Sequence, residues 1–342
     1  MTRVFALTAR GLEAICADEI AALPGVTIEQ VAYRRVTAAC GAPLAPLLGL
    51  RTVDDVFLDV AAWPGITRQR SALDRLGEFG AQLDLSQAAT HCAEVRQVPR
   101  SPVFSVTANF VGKRNYSTVE IKQACAESIA AVHGWAYAPD DAESDLNVRV
   151  FIDHDVAFVG VRLGERPLHR RPYKHAHVPG SLKPPVAAAM LALAEVGPGM
   201  RLLDPCCGAG TILIEAAQIG AVVQGGDCDP DAVTAARANL SAAGVSVDVR
   251  EWDACALPLD DGAFERVVTN LPWGREVQID AAFEAFYRRV CAEMRRVLAP
   301  GGRIAVLTSL PHLVNFPDLQ QGVELEISLF GQTPTVQIFS RE

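Results

Sequence analysis

Four short stretches place polar side chains where apolar runs end, and each could act on a ligand. Asp204 closes "MRLLD", Asp227 closes "AVVQGGD", and Asp253 stands in "REWDAC" just after "VSVDVR". An acid at the first position repels a pyrophosphate and welcomes a cationic amino group. At the second it can accept hydrogen bonds from both hydroxyls of a ribose. At the third it can accept from the exocyclic amine of adenine. S-adenosylmethionine has those three parts and no phosphate. Each aspartate alone could equally be a cap or a turn residue; their succession on consecutive strand ends is what points to a ligand.

The fourth stretch is "TNLPWG", residues 269–274, directly after the apolar Phe264–Val268. A nucleobase amine is a poor nucleophile because its lone pair is delocalised into the ring. The Asn270 side-chain oxygen and the Leu271 carbonyl could each accept one N–H and aim that lone pair at a sulfonium methyl. Pro272 lacks an N–H and fixes the backbone, and Trp273 offers a face for a base. Transfer would then rest on positioning and on loss of the sulfonium charge.

These residues need a scaffold, and the surrounding pattern supplies one. From Met200 short apolar strands alternate with helical stretches, the signature of a doubly wound parallel sheet. "LLDPCCGAGTILIEAA" sets Gly208 and Gly210 in a turn between strand and helix, which permits close backbone approach at a donor-rich helix start. The third glycine of a dinucleotide fingerprint is missing, which disfavours an oxidoreductase. "GVELEISLF" and "TPTVQIFS" lack an intervening helix and are expected to close the sheet as a hairpin. Upstream, residues 1–62 read as a small ferredoxin-like α+β unit and residues 63–165 as a second, α/β unit. There, Ser117 to Glu120 has the form of a capping box that starts a helix. Residues 166–183 read as a basic connector, and residues 184–342 as the Rossmann-like domain.

Half of the residues are hydrophobic, and 31 basic residues face 40 acidic ones for a net charge of −9. That balance alone argues against nucleic acid, but the distribution is uneven. Arg162, Arg166, Arg170, Arg171, Lys174 and Lys183 stand against the single acid Glu165, a run that reads either as a solvated linker or as a phosphate-tracking seam. Nine cysteines without zinc spacing suit reduced thiols in a cytoplasm. No metal is expected, since His175 and His177 lack a third ligand. Val186–Ala194 is too short to cross a bilayer, and the N-terminal stretch reads as strand and helix rather than as a secretory signal. The oligomeric state is not set by the sequence, with a monomer as the default expectation.

"DPCCGAGT", "GGDCDP", "WDA" and "NLPWG" resemble the successive motifs of class I amino-methyltransferases. "SLKPPVAAAML" is similar to the segment leading into the catalytic domain of THUMP-containing guanine-N2 methyltransferases. Residues 104–163 resemble the THUMP module, and "FALTARGLEAICADEI" resembles the ferredoxin-like opening of those proteins. The resemblance implies a transfer-RNA methyltransferase making N2-methylguanosine in the acceptor stem, at position 6 in similar proteins. It implies a donor site built from Ser181, Leu182, Lys183, Asp204, Cys206, Gly208, Gly210, Thr211, Asp227, Cys228, Asp253, Ala254 and Asn270. The catalytic stretch would be Asn270, Leu271, Pro272 and Trp273. Lys113, Arg114, Arg166, Arg170, Arg171 and Lys174 are the candidate RNA contacts. Leu271-Pro272-Trp273 departs from the Pro-Pro-Tyr of many relatives, which keeps the stacking role but loosens the inference to one base. Ribosomal-RNA guanine, adenine N6 of nucleic acid, and an inactive RNA-binding relative stand as alternatives.

Overall fold

The computed structural model describes residues 1–273 and 281–342. Gly274, the last residue of the "TNLPWG" stretch, lies outside the described residues. Contacts divide the chain into one compact unit of Met1–Thr8 and Cys16–Leu168 and a second of Ala9–Ile15 and His169–Glu342.

The first unit is built on one seven-stranded sheet. Its elements in chain order are β1 (Thr2–Leu7), α1 (Glu13–Ala21), β2 (Val26–Ala32), β3 (Arg35–Cys40), β4 (Asp55–Pro64), α2 (Ala72–Gly80), α3 (Ser86–Ala93), β5 (Phe104–Phe110), α4 (Thr118–His133), β6 (Leu146–Asp153) and β7 (Val156–Arg162). The strand order is β2-β3-β1-β4-β7-β6-β5. The expected boundary between residues 62 and 63 falls inside β4, which pairs with β1 on one side and β7 on the other. A single hydrophobic cluster, running from Val4 and Ile20 to Ile129 and Val161, therefore spans both expected N-terminal modules. The capping box forms as expected: the Glu120 N–H donates to Ser117 Oγ, and the Ser117 N–H donates back to Glu120 Oε2 at 2.8 Å.

The second unit continues with α5 (Pro184–Leu193), β8 (Arg201–Asp204), α6 (Thr211–Gln218), β9 (Val222–Asp227), α7 (Pro230–Ala243), β10 (Asp248–Glu251), β11 (Phe264–Asn270), α8 (Ala281–Val297), β12 (Leu298–Thr308), β13 (Gln320–Glu326) and β14 (Thr335–Ser340). Its sheet order is β10-β9-β8-β11-β12-β14-β13. The first five strands pair in parallel, and β14 pairs antiparallel with both β12 and β13, so the hairpin closes the sheet as the tail predicts. The chain runs outward from β8 to β10, then returns to the other side of β8 as β11. Such a reversal opens a crevice at the carboxyl ends of the strands, where ligands of these folds bind. Among the described residues, no helix is long and apolar enough to cross a membrane.

Candidate active site

The crevice holds a cavity of about 690 Å³. Asp204, Asp227 and Asn270 are the last residues of β8, β9 and β11, and Asp253 lies two residues beyond β10. All four line the cavity, so parallel pairing gathers side chains separated by up to about a fifth of the sequence. Leu271, Pro272 and Trp273 line it too, as do Ser181, Leu182, Cys206, Gly208, Thr211, Cys228 and Ala254. Lys183 and Gly210 do not. Lys183 precedes α5, with its ammonium 5.8 Å from the ring centre of Phe330. Gly210 caps α6 with a φ of 78°, and a β-carbon there would approach the Ala236 β-carbon to 3.1 Å. Its part is to let α6 pack against α7 beneath the turn.

The three aspartates differ in environment. Asp204 is 1% exposed, and its Oδ1 accepts the Cys206 N–H at 3.3 Å. Burial pushes its carboxyl up to about 7; the Thr269 hydroxyl and the Cys206 N–H offset that only in part, and the Asp227 charge nearby adds to it. Asp227 is held from both sides, with Oδ2 accepting the Gly208 N–H at 2.9 Å and Oδ1 the Asp229 N–H at 3.1 Å. The positive φ of Gly208 aims that N–H back at the carboxylate. Asp253 sits at the rim, its Oδ1 accepting from the Cys255 N–H and its Oδ2 lying 3.6 Å from Arg289. Trp252 braces the floor by donating its indole N–H to the Pro205 carbonyl at 3.0 Å.

The Asn270–Trp273 stretch is more tightly braced than its sequence shows. The Trp273 indole N–H donates to Asn270 Oδ1 at 2.9 Å, which fixes the carboxamide and leaves its oxygen one further acceptor position. Ser309 Oγ donates to the Trp273 carbonyl. The fully buried Tyr287 donates to the Pro272 carbonyl at 2.7 Å and also contacts Thr308 Oγ1, which accepts the Leu310 N–H. Burial pushes the Tyr287 phenol up to about 12, so it stays protonated and acts as a clamp. Tyr287 carried no signal in the sequence beyond a helical apolar position.

The basic connector behaves differently from a solvated linker. Arg171 pairs with Glu215 at 3.1 Å, and Tyr173 donates to the same carboxylate oxygen, which belongs to a side chain with no exposure. Lys174 bonds the Leu182 carbonyl and Thr211 Oγ1, and desolvation lowers its ammonium to about 8. The buried Asn239 accepts the His175 and Ala176 N–H groups and donates to the Ala176 and Ala209 carbonyls. These bonds pin residues 171–182 to α6, α7 and the glycine turn, and His177, Val178, Pro179 and Gly180 become cavity wall. In the first unit, Arg114 donates to the Ile66, Thr67 and His154 carbonyls, and Arg162 is buried against Asp55 and Asp141. Of the six expected RNA contacts, Arg114, Arg171 and Lys174 thus have internal partners, while Lys113, Arg166 and Arg170 are exposed.

Comparison with known proteins follows the same lines. Residues 171–323 match the RMKL-like methyltransferase domain family. The chain is 33% identical over 316 residues to a tRNA (guanine(6)-N2)-methyltransferase of Thermus thermophilus, covering 90% of each. It is 31% identical over 222 residues to the tRNA (guanine(6)-N(2))-methyltransferase THUMP3 of Bos taurus. That match takes in 60% of this chain and 43% of the relative, less than half of the relative's length. Among solved structures, TrmN from Thermus thermophilus superposes with a TM-score of 0.80 at 28% identity, with both chains fully covered.

Proposed function

The chain belongs to the family of S-adenosylmethionine-dependent tRNA guanine-N2 methyltransferases, and on that premise we propose that it methylates the N2 amine of a guanosine in transfer RNA. The observation that carries the reading is the fixed Asn270 carboxamide, held by Trp273 on a cavity whose wall presents three strand-end carboxylates. The residues present fit the donor. Asp204 is a buried carboxylate short of compensation, as a site for an ammonium group requires. Asp227 is pre-oriented for two ribose hydroxyls, and Asp253 stands at the rim for the adenine amine. Gly208 keeps the backbone low beside them.

S-adenosylmethionine supplies a methyl group on a cationic sulfur, so transfer discharges the cation. The chain's own part is positioning. Asn270 Oδ1, with one acceptor position left, and the Leu271 carbonyl take the two N–H groups of the guanine amine and turn its lone pair toward the methyl. Tyr287 and Ser309 hold the Pro272 and Trp273 carbonyls, so the stretch does not yield as the base enters. As the new N–C bond forms and the S–C bond breaks, the surplus proton on nitrogen leaves to water. The acceptor stem, position 6, is the target, and a paired guanine there has to be flipped out of its stack. Lys113, Arg166 and Arg170 contact phosphates. The protein acts as a monomer in the cytoplasm.

The test is nucleoside mass spectrometry after incubating the full chain with methyl donor and bulk transfer RNA. N2-methylguanosine should appear, mapped by nuclease fragments to the acceptor stem. Methyl groups found only on adenosine, or only on ribosomal RNA, would overturn the substrate assignment.

A further inference from the structure

Phe330 sits in a turn that its side chain does not suit. Leu329 and Gln332 exchange both backbone hydrogen bonds, at 3.0 and 2.9 Å, which leaves Phe330 and Gly331 as the two central residues at the tip of the β13–β14 hairpin. Their φ values are 53° and 74°. A two-residue turn with both φ positive calls for glycine, asparagine or aspartate, and a bulky aromatic at such a position is an outlier. Packing does not explain the choice, because Phe330 is 47% exposed. Its neighbour Leu329, at 2% exposure, anchors the tip in the core.

The ring nonetheless lines the cavity that holds Asn270 and Trp273. Phe283 and Phe286 reach the same cavity but pack in or against the core cluster behind it, and the Trp273 indole N–H is committed to Asn270. Lys183 stands beside the Phe330 ring, with its ammonium 5.8 Å from the centre. A strained, half-exposed aromatic beside a cation at the edge of a cavity suits one kind of occupant. That occupant is a nucleotide, with the base on the ring and the phosphate near the ammonium.

We infer that Phe330 is a stacking surface for the purine base brought to this site, with Lys183 holding the adjoining phosphate. The inference deepens the RNA reading above and rests on it. The hairpin accepts an unfavourable backbone conformation at Phe330 in exchange for a ring at the cavity edge. Stability and activity should therefore separate at this residue.

The test replaces Phe330 by the residue that the turn prefers. Phe330→Asn should keep or raise Tm and leave the donor Kd within about twofold, yet lower kcat/KM on transfer RNA by about tenfold, since a base–aromatic stack is lost. Phe330→Tyr should restore most of that loss. A readout without turnover uses a stem-loop RNA carrying 2-aminopurine at the target position and the full chain bound to S-adenosylhomocysteine. Stacking quenches the fluorescence, and quenching should be weaker for Phe330→Asn than for the wild type. Equal turnover and equal quenching in Phe330→Asn would overturn the inference. So would a joint loss of Tm and donor binding, which would make the ring a packing residue. Wild-type protein that leaves transfer RNA unmodified would count against the substrate reading, while the quenching comparison would still decide the role of Phe330.

Discussion

Each unit buries an aspartate, and the two are treated in opposite ways. In the first unit Asp55, 5% exposed, receives Arg162 Nε at 2.6 Å, and that guanidinium also takes both oxygens of Asp141. Burial still raises Asp55 to about 6, but the charge has its partner within the fold. In the second unit Asp204, 1% exposed, has only neutral groups to favour its charge, the Thr269 hydroxyl and the Cys206 N–H, and faces the cavity. A buried charge matched by the fold is structural. One met by neutral donors alone on a cavity wall is a candidate for a cationic ligand.

Replacement by asparagine should break that comparison in opposite directions. Asp55→Asn leaves Arg162 short of a buried partner and should destabilise the protein by about 3 kcal/mol, while the folded fraction binds donor normally. Chemical denaturation and calorimetry check both parts.

Asn270→Ala comes next in size. It should leave donor binding intact and lower kcat by about a hundredfold, or about 2.7 kcal/mol, because its contact strengthens as the amine becomes nucleophilic. A loss in KM alone would move Asn270 from chemistry to binding.

Asp204→Asn sharpens the contrast further. It should keep or raise the Tm of the ligand-free protein at pH 8, since it removes an ill-compensated charge. It should weaken donor binding by about 2 kcal/mol, the scale of a charged hydrogen bond. Unchanged donor affinity in calorimetry would remove Asp204 from the ligand site.

The smallest effect is a pH dependence. Asp204 and Asp55 both have carboxyls raised in the fold, to about 7 and about 6, so the unfolded chain releases their protons first. Their contribution to stability is therefore full below pH about 4 and is lost as pH rises through those values. Donor binding runs the other way, because a cationic amino group favours ionised Asp204. Affinity should rise by up to about tenfold per pH unit below 7 and level off above it, and Asp204→Asn should flatten the profile. An equally steep profile in that variant would assign the proton elsewhere.

Much of the site was legible because strand ends are. Asp204, Asp227 and Asn270 end short strands and Asp253 follows the alternating "VSVDVR", and a parallel sheet aligns such ends on one edge. The closing hairpin and the Ser117–Glu120 capping box were legible for the same reason: each is local and periodic. Pairings across the chain were not. Charge along the connector gave no hint that Arg171 and Lys174 turn inward, because their partners Glu215 and Thr211 lie about forty residues away on α6. Trp273 read as an open platform, whereas a turn of three residues brings its N–H onto Asn270. Phe330 was overlooked because a turn position carries its meaning in φ, which the sequence does not print.

On the proposed reading, the residues at the end of β11 act on one exocyclic amine. The most direct measurement uses a transfer-RNA transcript whose modified guanosine, once located by mass spectrometry, is replaced by inosine, which lacks only that amine. With labelled donor, the guanosine transcript should take up one methyl group at that position and the inosine transcript none, although both bind with similar affinity. Methyl transfer to the inosine transcript at the same position would contradict the account.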